Sequence, residues 1–167
     1  MPRGIGDELL WWCPSLDDSG NGTNTLNDLS GNGRNGTLTN MVTSGAGNDW
    51  VADTGSGGIR ALDFDGTNDF VVDSTLGISG DAEVSISFWL YWRSGLTGIL
   101  GFGESAQALR AFGPFVDAYS AGGISIETAG AQFAYNVAAA VTQNAWAHVV
   151  VQKTAGALRT TSQIAIN

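Results

Sequence analysis

Polar and apolar residues alternate along several short runs of this chain, most clearly in EVSISFWLYW, Glu83 to Trp92. Val84, Ile86, Phe88, Leu90 and Trp92 fall on one side, and Ser85, Ser87, Trp89 and Tyr91 on the other. That period of two belongs to a strand, because a helix would mix the sets. The same reading predicts strands at Leu9–Cys13, Ile59–Phe64, Asp69–Asp73, Thr97–Phe102, Gly123–Glu127, Gln132–Val137, Trp146–Lys153 and Ser162–Ile166. In Trp146–Lys153 the alternation sets Trp146, His148, Val150 and Gln152 against Ala147, Val149 and Val151.

Between the runs lie turn residues. DGTND, Asp65 to Asp69, predicts a hairpin connection. The stretch LNDLSGNGRNGTL, Leu26 to Leu38, has two readings: a tight surface loop between strands, or a loop whose oxygens hold a cation. Thr39–Gly58 predicts a long loop, with Trp50 as its packing anchor against the alternative of a ligand-stacking ring. Ser105–Phe112 and Asn136–Gln143 carry weak helical character without caps. No repeat or linker interrupts residues 1–167, so the pattern predicts one antiparallel all-β domain.

Composition agrees with many turns between short strands: of 167 residues, 24 are Gly and only 3 Pro, with 43% hydrophobic residues. The net charge of -9 disfavours nucleic acid and anionic membranes, which need a basic face, and leaves cations, neutral sugars and other proteins. Thirteen of the 16 acids stand at or before Glu83, so a cation site is expected in that half. Cys13 is alone, which removes an intrachain disulfide and a cysteine metal site; a buried apolar role is expected for it. No run reaches the ~18 apolar residues of a membrane span. MPRGIGDELLWWC does not have the form of a secretory leader. The expectation is a chain that reaches the outside in an assembled particle, or one whose leader was removed.

The candidate chemistry is thin. Asp81 and Glu83 are spaced by two at a strand entrance, but retaining glycoside hydrolysis by jelly-roll glucanases uses an E-x-D-x-E triplet, and none occurs. His148 is the sole histidine, so any Ser-His-Asp site must use it, and there is no G-x-S-x-G elbow or P-loop. DFDGTND fails as an EF-hand, since Gly66 is fourth from Asp63 and the twelfth residue is Ser74. The chain is therefore expected not to be an enzyme. Trp89 and Tyr91 share one strand face and are ligand-binding candidates if it is the open one. Otherwise they are core.

The order of WWCPSLDDSGNGTNTLNDLSGNGRNGTLTN, ALDFDGTNDFVV, VSISFWLYWR, NAWAHVVVQKTAG and SQIAIN resembles laminin-G-like, concanavalin-A-like domains of bacterial and phage type. The resemblance covers nearly the whole chain. It implies an all-β, two-sheet antiparallel jelly-roll sandwich, and SQIAIN is normally followed there by further strands. On that basis the last strands are expected to be missing here, either because the sequence is incomplete or because another chain covers their edge. It also implies a structural Ca²⁺ with Asp28, Asn32, Asp65 and Asp69 as candidate ligands, against the plain turn reading. A structural role for His148 is implied likewise. The expected function is a non-catalytic binding or assembly domain at a virion surface, such as a capsid decoration or fibre protein, contacting other protein chains and glycans. The alternative is a carbohydrate-binding or adhesion module of an extracellular bacterial protein.

Overall fold

A computed structural model describes residues 23–52, 60–72, 83–94, 97–99, 113–117, 123–128, 131–137, 141–153 and 162–166. All regular structure among them is strand, and every pairing is antiparallel. The chain divides into two units, Met1–Gly77 and Ile78–Asn167. The predicted strand Leu9–Cys13 and the helical stretch Ser105–Phe112 lie outside the described residues.

In the first unit, β1 (Thr25–Leu26), β2 (Gly36–Thr39) and β5 (Phe70–Val72) form one sheet in the order β1-β2-β5. β3 (Trp50–Ala52) and β4 (Arg60–Leu62) form a separate ribbon. Leu26, Leu38 and Trp50 are buried together, with Met41, Leu62 and Val71 packed around them. Trp50, only 3% exposed, is thus the anchor of its segment. The segment is not all loop, however, because Trp50 opens β3 and pairs with Leu62. β2 and β5 approach closely at Gly36, where a Cβ would lie 2.6 Å from Val71 Cγ1. The hairpin expected at Asp65–Asp69 is corrected: β4 pairs with β3 and β5 with β2, so the turn carries the chain from one sheet to another.

In the second unit, β6 (Val84–Tyr91), β11 (Trp146–Lys153) and β12 (Ser162–Ile166) form a sheet in the order β12-β11-β6. β7 (Thr97–Gly98), β8 (Gly113–Asp117), β9 (Gly123–Thr128) and β10 (Ala131–Val137) form another, in the order β10-β9-β8-β7, with an irregularity between Ala131 and Tyr135. The weak helical character at Asn136–Gln143 is not seen at its ends, where Asn136 and Val137 lie in β10, Val141 is a bend and Gln143 a turn; residues 138–140 lie outside the described residues.

The alternation in β6 and β11 is realised in burial. Val149 and Val151 are fully buried with Ala147 and Val141, and Val84, Ile86, Phe88, Leu90, Trp92, Ile99, Ile164 and Ile166 pack on them. In register Val149 stands between Phe88 and Ile166, and Val151 between Ile86 and Ile164, so each β-branched side chain is flanked by apolar neighbours on both sides. Asn144, at φ 59, turns the chain into β11, and its N–H donates to Trp92 O at 2.8 Å.

Candidate functional site

The two Asp-rich loops of the first unit spend their side chains on their own backbones. Between β1 and β2, Asp28 is buried and its carboxylate accepts three bonds: from Ser30 N–H at 2.8 Å, Ser30 O–H at 2.8 Å and Arg34 N–H at 3.0 Å. Asp28 N–H donates to Asn35 Oδ1 at 2.9 Å. Asn32 is exposed, and both its backbone N–H and its Nδ2 donate to Ser30 Oγ. Gly31 at φ 95 and Gly33 at φ 70 take a backbone that L side chains rarely adopt, which lets the loop wrap round the carboxylate. This is the tight loop between two strands that the sequence offers as one of its readings.

The second loop is built alike. Asp65 Oδ1 accepts from Thr67 N–H at 2.7 Å and Asn68 N–H at 3.1 Å, and Asp65 N–H donates to Asp69 Oδ2 at 2.9 Å. The bonds from the Thr67 and Asn68 N–H groups, that from Thr67 first, hold the pKa of the Asp65 carboxyl below its ordinary 3.8, because they favour the ionised form. Asn40 Nδ2 donates to Asn68 O at 2.8 Å and ties this loop to the end of β2. Among the described residues no three His, Cys, Asp or Glu side chains come together as a metal site. The four cation candidates thus fall in two separate loops, Asp28 and Asn32 in one and Asp65 and Asp69 in the other, and the bonds seen there are turn bonds.

The outer face of the β12-β11-β6 sheet is different. Trp89 is 48% exposed and Tyr91 41%, so the face carrying them is the open one and neither is core. Register sets Trp89 opposite His148, and Tyr91 opposite Trp146. The Trp89 and His148 rings lie 5.0 Å apart at 34°, and Tyr91 meets Trp146 nearly edge-on at 5.3 Å and 63°. Cross-strand aromatic pairs of this kind stabilise a sheet surface beyond simple burial. Ser87 Oγ and His148 Nε2 share a hydrogen bond of 2.8 Å. Trp146 Nε1 is buried and has no hydrogen-bond partner among the described residues.

The outer strand positions around them are uncharged, with the exposed Glu83 and Arg93 just beyond the two ends of β6. On β6 the remaining outer positions are Ser85 and Ser87, on β11 Val150 and Gln152, and on β12 Gln163 and Ala165. Sequence reasoning placed Ser87, Trp89 and Tyr91 on one face but did not join His148 and Trp146 of β11 to them. The signal was present in the polar fringe: Ser85 and Ser87 on one strand, Gln152 on the other, which a buried face would not tolerate unbonded.

The Ser87–His148 pair has the contact that a hydroxyl nucleophile needs from its base. No carboxylate among the described residues is bonded to His148, and the pair sits on an open sheet face. Glu83 is exposed just before β6, while Asp81 lies outside the described residues. Comparison with family models, with curated proteins and with solved structures finds no match to this chain.

Proposed function

We propose that this chain is a non-catalytic binding domain of the two-sheet jelly-roll type, which takes a neutral glycan on the outer face of β6, β11 and β12. The observation that carries the reading is the exposure of Trp89 and Tyr91, two residues apart on one strand, among uncharged outer positions of β6, β11 and β12 in a chain of net charge -9. Side chains two apart on a strand stand about 7 Å from each other, so two flat rings meet successive sugar units. The ring faces cover apolar C–H surfaces, and the serine and glutamine fringe serves hydroxyls.

Size favours a slender ligand over a protein. Three strands offer an outer face of roughly 15 by 25 Å, well short of the ~800 Å² that each partner contributes to a standard protein interface. The virion or cell exterior as its setting follows from the family resemblance and belongs to the same proposal.

A glycan array probed with the whole chain and with Trp89→Ala tests this. Saturable binding to a set of neutral glycans, weakened at least about tenfold in the variant (about 1.4 kcal/mol), is the expected result. A blank array, or hits that Trp89→Ala leaves unchanged, overturns it.

A further inference from the structure

We infer that Ser87 and His148 are positioning residues that set the tilt of the Trp89 ring. The inference rests on the binding role proposed for that ring. An exposed tryptophan on a strand has several rotamers open to it, and ordering it at the moment of binding costs affinity. Among the described residues the Trp89 ring meets that of His148, directly opposite on β11, at a centroid distance of 5.0 Å and a tilt of 34°. That partner is itself fixed. His148 Nε2 bonds Ser87 Oγ at 2.8 Å, and Ser87 sits on β6 two residues before Trp89. The link therefore leaves β6 at Ser87, crosses to β11, and returns to β6 at Trp89. Free rotation of the imidazole would break the bond, and rotation of the indole would lose its tilted contact with the imidazole.

A hydroxyl gives or receives a proton as required. The bond thus stands with either imidazole tautomer and with the charged ring. Neither serine nor histidine has to touch the ligand for this. Their contribution is a ring already oriented when a ligand arrives, the pre-organisation that lowers the ordering cost of binding.

The test is made on the free whole chain, so it does not depend on any glycan. The near-ultraviolet circular dichroism of Trp89 is obtained as the difference between the wild type and Trp89→Phe. Ser87→Ala is expected to reduce that signal by more than half, with a melting temperature within about 2 °C of wild type. Ser87→Thr, which keeps the hydroxyl, is expected to restore it. His148→Phe, which keeps a ring but loses the bond, should leave the signal reduced. An unchanged Trp89 signal in Ser87→Ala overturns the inference, as does a loss that Ser87→Thr fails to repair. A blank glycan array with these signals as expected would defeat the proposed ligand and leave the positioning intact.

Discussion

The loops of the first unit and the outer sheet face of the second use polar and aromatic groups in opposite ways. Asp28, Asp49, Asp65 and Asp69 look, as residue types, like ligands waiting for a cation, yet each accepts backbone N–H bonds from its own neighbourhood. Trp50, in the same unit, is buried. On β6 the reverse holds: Trp89 and Tyr91 look like core residues and stand open. Residue type alone does not separate the two regions; partner geometry does. A carboxylate ringed by N–H donors is a structural element, whereas an exposed aromatic stacked on a cross-strand ring is surface that has kept its contact area.

The contrast can be broken most severely at Trp50. Truncation to Ala should cost about 3–5 kcal/mol, the range for a buried aromatic, read as a lowered denaturation midpoint. Close behind is Gly36→Ala, which drives a methyl into Val71 Cγ1 and should cost about 1–3 kcal/mol by overpacking. Adding Val71→Ala should recover part of that loss, and a double-mutant cycle measures the coupling.

Asp28→Ala strands the N–H groups of Ser30 and Arg34 and should also cost about 1–3 kcal/mol. Trp89→Ala, by comparison, should change stability by less than about 1 kcal/mol while weakening the proposed glycan binding at least about tenfold. The smallest effect is at Asp65. Its folded carboxyl is held below 3.8, so its contribution is present above that value and disappears as pH falls through the lowered one. Asp65→Asn should therefore lower stability slightly at neutral pH, with the difference from wild type closing as pH falls below about 4. Thermal melts across that range check it.

Much of the second unit was legible in the sequence. The bounds of β11 and β12 and the sidedness of β6 and β11 follow from a strict period of two over five to eight residues. Trp50 was legible as an anchor because a lone aromatic in a Gly- and Asn-rich stretch has few other uses. What escaped has physical reasons. β1 and β3 span two and three residues, too short for a period to register. β8 contains Pro114, which lacks an N–H and argues against a strand, yet it is paired with Ile126. The open side of β6 was hidden because both sides carry aromatics, Phe88 and Trp92 on one and Trp89 and Tyr91 on the other. The Ser87–His148 bond joins positions 61 residues apart, and only the pairing of β6 with β11 brings them together.

The most direct test is hydroxyl-radical footprinting of the whole chain without ligand, read residue by residue along β6. Trp89 and Tyr91 should be oxidised readily, while Phe88 and Leu90, packed on Val149 and its neighbours, should react far more slowly. Protection of Trp89 and Tyr91 to the level of Phe88 would contradict the account, because the aromatic face would then be interior.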